Sequence, residues 1–376
     1  MKKSTKNILI SHSSNDLYGA SKVLISTIEI LISNGYNVHL ILPSNGPLNF
    51  NKTIKKVNLS IVNLGVFRKK YFNILGLLTR LFFILKSTLF IKKYIKKNKI
   101  ELVYINTSTI ISPCISSFIT QVPSVYHIHE IPIGSKIYLK FLIRIFNKFS
   151  NKVVVVSNAV KDFWVSNGLF ENKVNVIYNG YDFDFSPYLT KNNDKSIFLS
   201  ISRVIPYKGH AFMIELFREI LKNRDDLILQ IVGGTLPVYQ PYVNKLKSKV
   251  KNYNSDNNIL FLGFAPEIKS VLRKADFFIH VPVDPDPAPA VILEAIESGT
   301  PIIYSDNGGA REILNNGKNG LQIDLNSIQK SSKLILDYMS KNDIHKTKVE
   351  NSIEFVAKHF NKDLYETKLI NLLSQF

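Results

Sequence analysis

The sequence predicts an α/β protein made of two doubly wound, parallel-sheet domains that face a central cleft. Three observations point there. The chain has 376 residues, enough for two domains at ~150 residues each. Short apolar runs alternate with longer helical patterns along its whole length, as in parallel sheets covered on both faces. A turn signal followed by polar sequence near residues 180–196 divides that alternation into two series.

In the first series, strands are expected at Asn7–Ile10, Val38–Leu42, Leu102–Asn106, Ser124–Ile128, Val153–Val156 and Val174–Tyr178. Helices are expected between them at 20–33, 72–97 and 136–149. The run of four valines, Val153–Val156, suits a strand buried on both sides. Asn179-Gly180 marks the break, and the stretch to Ser196 is rich in Asp, Asn, Lys and Pro. The second series has strands at Ile197–Ile201, Leu227–Val232, Asn258–Leu262, Phe277–Val281, Pro301–Tyr304 and Leu321–Ile323. Its helices fall at 209–222, 239–252, 290–298 and 327–340, and a last helix at 361–374. The expected division is a basic domain over 1–180, a linker over 181–196, a second domain over 197–358, and a C-terminal segment, 359–376, packing back across the linker. Strand C-terminal ends would face the cleft, where ligands of open α/β sheets bind.

With 45% hydrophobic and 20% charged residues, the chain can bury a large core and is not a disordered polymer. The single cysteine, Cys114, excludes a disulfide framework and a cysteine-rich zinc site and suits a reducing compartment. The net charge of +19 is unevenly spread: residues 1–178 hold 24 Lys/Arg against 6 Asp/Glu, and residues 179–376 hold 24 against 23. The basic half therefore calls for an anionic partner: a membrane surface, nucleic acid or an acidic substrate. The apolar run after the basic start is too short for a signal-peptide core. The stretch Phe72–Ile91 is interrupted by Arg80 and Lys86, which makes it a poor membrane span. The expected location is cytoplasmic, peripheral on the inner face of the cell membrane.

Four stretches can carry chemistry. Asp16-Leu17-Tyr18-Gly19-Ala20-Ser21 joins the first strand to the first helix, where small residues and free helix-start N–H groups admit an anion. Ser202 to His210 follows the first strand of the second domain; Arg203 can fork onto phosphate oxygens and Lys208 adds a point charge. Asp284 to Glu297 has prolines that hold off a helix until about Ala290, whose first turn points at the cleft, with Glu294 one turn in and able to accept from vicinal ribose hydroxyls. Tyr126-His127-Ile128-His129-Glu130 ends a first-domain strand; the reading places the two histidines on opposite sides of the sheet, with His129 towards the ligand, and no nearby third ligand for a metal. Taken singly, each also has an ordinary structural reading, as a tight turn, solvated cations, a helix-start carboxylate or a core histidine.

Together these pieces resemble the glycosyltransferase group 1 family. The likeness rests on Arg203 with Lys208-Gly209, on Asp286 to Glu294 followed by Gly299-Thr300-Pro301, and on Asn307-Gly308-Gly309 with Glu312. It is supported in order by Tyr18-Gly19-Ala20, His129-Glu130, Val156-Ser157-Asn158 and Tyr178-Asn179-Gly180. The resemblance implies a GT-B fold of two Rossmann-like domains and a retaining, metal-independent transfer of a hexose from a nucleotide-diphosphate sugar, without further cofactor. It implies that Arg203 and Lys208 hold the diphosphate with the N–H groups of Ala290 and Val291. Glu294 would bind ribose, Gly263 and Phe264 would border the base, and Gly19 would admit the donor phosphate. His129 would contact the donor sugar, and Asp286 is the first acid of the family's paired-acid motif. The family usually has Glu there, and Ala288, Pro289 and Ala290 stand where bulkier residues or Gly are common.

The basic half adds a partner. Lys136, Lys140, Arg144, Lys148 and Lys152 repeat at four with aromatic and aliphatic residues between them. The stretch 67–99 likewise ends in lysines. Both suit helices resting on an anionic bilayer, which would bring the acceptor site to a lipid-linked or cell-surface glycan, as in polysaccharide or cell-envelope synthesis. The competing readings are a nucleotide-sugar-binding homologue without catalysis, a nucleic-acid-binding protein, a glycoside hydrolase using Asp286 and Glu294, and a nicotinamide dehydrogenase. No nucleic-acid module is recognisable, and the first loop lacks the full Gly-x-Gly-x-x-Gly pattern.

Overall fold

A computed structural model describes residues 6–68, 71–132, 134–186, 188–189 and 194–376. Two compact units emerge. The first runs to Gly180 and also takes Lys362–Phe376; the second is Tyr181–Asn361.

The first unit is built on the strands β1 (Asn7–Ser11), β2 (Asn37–Leu42), β3 (Asn58–Ile61), β4 (Leu102–Ile105), β5 (Ser124–Ile128), β6 (Lys152–Val155) and β7 (Val174–Val176). They form one parallel sheet in the order β3-β2-β1-β4-β5-β6-β7. Ile8 sits in register with Val38 on one side and Leu102 on the other. All three are buried, which explains the near-continuous apolar runs. The strand order reverses direction between β1 and β4.

The second unit carries β8 (Ser196–Ile201), β9 (Leu227–Val232), β10 (Ile259–Gly263), β11 (Phe277–His280), β12 (Ile302–Ser305) and β13 (Leu321–Ile323). Their order is β10-β9-β8-β11-β12-β13, again parallel. Phe198, Phe217 and Phe277 anchor its core, with ring centroids of Phe198 4.9–5.0 Å from the other two. Here the reversal lies between β8 and β11. The doubly wound α/β class is therefore the observed one.

Some elements lay outside the sequence reading. β3 is short and half exposed, so it has little apolar signal. The helix Ser112–Thr120 carries Pro113, Ser116 and Ser117, which read as breakers; Pro113 sits in its first turn, where its missing N–H costs nothing. Residues 181–196 were expected to be a linker, and 187 and 190–193 lie outside the described residues. Within that stretch Asp184 N donates to Glu297 Oε1 at 2.7 Å and Ser186 N to Glu297 O at 2.8 Å, tying it to the second unit. The helix Lys362–Leu373 completes the core of the first unit: Tyr365 is buried, and its hydroxyl lies 2.6 Å from Thr27 Oγ1.

Candidate active site

In the second unit the two connections that flank the reversal point are bound to each other. After β8 the chain passes Ser202 and Arg203, makes a short turn over Pro206–Lys208, and enters the helix His210–Leu221 through Gly209. Gly209 has φ +81, and a Cβ there would collide with the carbonyl of Val281, just past β11. Glycine is therefore what lets the two loops touch. Val283 N and Asp284 N then donate to Tyr207 O at 3.0 and 3.3 Å. Burial raises the Tyr207 hydroxyl, and the Arg203 charge acts on it in the opposite sense.

Lys208 Nζ is ion-paired with Asp286 Oδ2, and His280 Nε2 lies 3.4 Å from the same oxygen. Burial would push the Asp286 carboxyl up, but the contact with His280 and the Lys208 charge hold it well below the usual carboxylate range. Asp286 is thus an ionised acceptor. Its backbone is fixed from the other side: Asp286 N donates to Asn307 O at 3.1 Å, and Gly309 N to Asp286 O at 2.8 Å. A Cβ on Gly308 or Gly309 would strike the backbone of Asp286 or Pro287, so this pair of glycines is a docking requirement.

The helix Ala290–Glu297 starts after Pro289, where the prolines predicted it. Its first N–H groups, those of Ala290 and Val291, have no intrahelical acceptors and carry the positive end of the helix dipole. Glu294 is half-buried one turn in. Its charge adds to burial in pushing the Tyr181 hydroxyl up. Gly263 ends β10 at φ +72, and Phe264 after it is 78% exposed.

The first unit also concentrates polar residues at its reversal point, chiefly imidazoles and an amide, with one carboxylate beside them. Asp16 accepts from Ser21 Oγ at 2.8 Å; burial would push its carboxyl up, but its hydrogen bonds hold it below the usual carboxylate range. His12 follows β1 and is buried; its Nδ1 donates to Asn106 O at 3.0 Å, and Ser14 Oγ and Ser21 Oγ each lie 3.2 Å from its Nε2. Asn106 follows β4 and accepts from His129 Nε2 at 2.9 Å, while its Nδ2 donates to Ala20 O at 3.3 Å. This fixes the His129 ring and leaves Nδ1 as its acceptor. Burial holds His12, His127 and His129 below the ordinary histidine range, His127 down to about 3.

His127 and His129 do not face opposite sides of the sheet as expected. Their ring centroids are 4.2 Å apart, because residues two apart along an extended chain share a face. His127 is the inner one, 2.6 Å from the Tyr104 hydroxyl. Glu130 braces the neighbouring turn, accepting from Thr107 Oγ1 at 2.6 Å and from Ser108 N and His129 N at 3.1 Å each. Gly19 opens the helix Gly19–Ser33 and is exposed; a Cβ there would meet nothing within 4 Å. Among the described residues, no neighbouring atom requires glycine at that position. Among the described residues no three His, Cys, Asp or Glu side chains are grouped to hold a metal ion.

Comparison with known proteins fits this division. A family model for glycosyl transferases group 1 matches residues 183–355, and one for glycosyltransferase family 4 matches residues 18–185. The chain belongs to the glycosyltransferase group 1 family. This glycosyltransferase is 26% identical to the UDP-Gal:alpha-D-GlcNAc-diphosphoundecaprenol alpha-1,3-galactosyltransferase of Escherichia coli, over 94% of this chain and 95% of that one. It is 25% identical to a GDP-mannose-dependent alpha-(1-6)-phosphatidylinositol monomannoside mannosyltransferase of Mycobacterium tuberculosis, over 46% of each chain. Its fold matches that of Anabaena HepE, solved in complex with UDP, with TM-score 0.82 and 22% identity over 98% of this chain and 100% of that one. The fold of this glycosyltransferase is GT-B.

The structure thus joins Lys208 to Asp286 and sets Arg203, Ala290, Val291 and Glu294 on the two connections at the same reversal point. Sequence reasoning missed His12, Asn106 and His280. A histidine directly after the first strand of a doubly wound sheet was the available signal for His12. Asn106 read only as a polar interruption in an apolar run.

Proposed function

We propose that this glycosyltransferase transfers a hexose, with retention at the anomeric carbon and without a metal ion, from a UDP-hexose to a lipid-linked glycan. The observation that carries the reading is the charged reversal point of the second unit, where Lys208 pairs with an ionised Asp286 and the two flanking connections carry Arg203 and a helix N-terminus. Fixed cations and helix-start N–H groups are the chemistry that stabilises a leaving diphosphate. Arg203 and Lys208 hold the phosphates, Ala290 and Val291 N–H add to them, and Glu294 accepts from the ribose hydroxyls. Gly263 and Phe264 border the base.

Asp286 accepts from a donor-sugar hydroxyl, oriented by Lys208 and His280. In the first unit, Gly19 admits the donor phosphate. His129 Nδ1, its ring fixed by Asn106, accepts from the donor sugar. The choice of uridine and of a polyprenyl-diphosphate acceptor draws on the relative that is alike over nearly its whole length.

The test is a thermal-shift panel of UDP-, GDP-, ADP- and CMP-sugars, because a bound ligand stabilises by mass action. Stabilisation by UDP-hexoses, lost in Glu294→Ala, is expected. Silence across the whole panel overturns the donor reading; a response to GDP-sugars alone overturns the base.

A further inference from the structure

The helix Ile74–Lys97 is apolar on its outward face as well as its inward one. Its inward face buries Arg80, Ser87 and Thr88 beside Ile84, Ile91 and Ile95. Its outward face carries Leu78, Phe82, Leu85 and Leu89, all 59–61% exposed. The spacing of four, three and four puts these on one stripe, and Lys93 and Lys96 continue it. A helix covering a sheet in water carries charged and polar residues on its outward face instead.

The stripe does not end with its helix. Phe72, just before it, packs on Tyr138 with centroids 5.0 Å apart, and Phe67 packs on Tyr138 and Phe141 at 5.5 and 6.1 Å. Those contacts join it to the helix Lys136–Phe149, whose Lys136, Lys140, Arg144 and Lys148 are all exposed. The result is one apolar surface rimmed by cations, in a half of the chain with 24 Lys/Arg against 6 Asp/Glu.

We infer that this surface docks on an anionic bilayer, with the outer stripe of Ile74–Lys97 lying in the headgroup–acyl boundary. Charge decides the occupant. A second copy would bring the same cations and repel them, whereas anionic headgroups attract cations near a membrane surface and acyl chains take the leucines. Length and apolar composition would also let this helix cross a membrane, but its inner face is tied down. Tyr94 OH lies 3.0 Å from His39 Nδ1 on β2, and Ser116 Oγ donates to Thr88 O at 3.0 Å. Crossing would break both and carry Arg80 into hydrocarbon, so the helix lies along the surface. The inference concerns binding alone and does not depend on the donor or acceptor assigned above.

Vesicle flotation of the full chain tests it, with phosphatidylcholine alone or mixed with phosphatidylglycerol. Binding is expected only to the anionic vesicles, weakened by high salt and released by alkaline carbonate. The variant Leu78→Glu/Leu85→Glu/Leu89→Glu should lose roughly tenfold or more in vesicle affinity, with its unfolding temperature and far-ultraviolet circular dichroism unchanged. Reversal of the rim in Lys136→Glu/Lys140→Glu/Arg144→Glu should weaken binding and remove its salt dependence. Unaltered vesicle binding by the leucine variant overturns the inference, as does resistance to carbonate extraction. So does a lipid-independent dimer that the leucine variant abolishes.

Discussion

The two sheets solve the same topological problem with different electrostatics. In each, polar residues gather where the strand order reverses, between β1 and β4 in one unit and between β8 and β11 in the other. The first gathers the amide of Asn106 and two imidazoles that burial keeps neutral, His12 and His129, with a single carboxylate, Asp16, and no cation among them. The second gathers a cation, an ionised carboxylate and a helix N-terminus around Lys208 and Asp286. Neutral donors and acceptors suit hydroxyl groups; fixed charges suit phosphate. Each reversal point therefore has its own chemistry, one matched to hydroxyl groups and the other to phosphate.

Removing the charge should have the largest effect. Lys208→Ala should lower transfer by about 10²–10³-fold, as removal of one transition-state contact does elsewhere. Initial-rate kinetics with donor in excess reads it, and a loss no larger than that of a neutral first-unit variant would erase the distinction. A second route is to unseat the loops without touching the charges. Gly209→Ala puts a Cβ against the Val281 carbonyl at φ +81, and should cost about 2–3 kcal/mol in denaturant unfolding.

On the neutral side, Asn106→Ala frees the His129 ring and should cost about tenfold in kcat, the value of one buried hydrogen bond. A rate unchanged within error would mean that His129 needs no orienting.

The smallest effect is on stability against pH. Burial holds His210 down to about 4 against an ordinary 6.5, and His127 down to about 3. Between those values the unfolded chain binds protons that the folded chain does not. Stability is therefore complete above about 6.5 and falls as the pH drops towards 4. His210→Gln should flatten that slope in chemical-denaturation curves taken from pH 7 to 4.

Much of the architecture was legible because both sheets are buried on two faces, so their strands announce themselves as apolar runs. Leu227–Val232 and Leu321–Ile323 agree with the observed strands to the residue. The half-exposed β3 left no such trace. The site was legible where composition is constrained locally: prolines before Ala290, glycine at 209, a cation cluster after β8. It was not legible where partners are distant. Lys208 and Asp286 are 78 residues apart and meet only because their strands are adjacent. The buried position of Asn106 between His12 and His129 is likewise a tertiary fact. The histidine pair was misread because a period of two keeps alternate residues on one face.

The placement of Tyr365 has a consequence for how the chain comes into being. Tyr365, Leu369, Leu372 and Leu373 belong to the hydrophobic core around β1 and β2, yet they leave the ribosome after every residue of the other unit. The half whose synthesis begins first therefore has to wait, incomplete, for the last helix to arrive. A nascent chain stalled near Asn361 would hold one finished unit and one with an open seam beside Thr27.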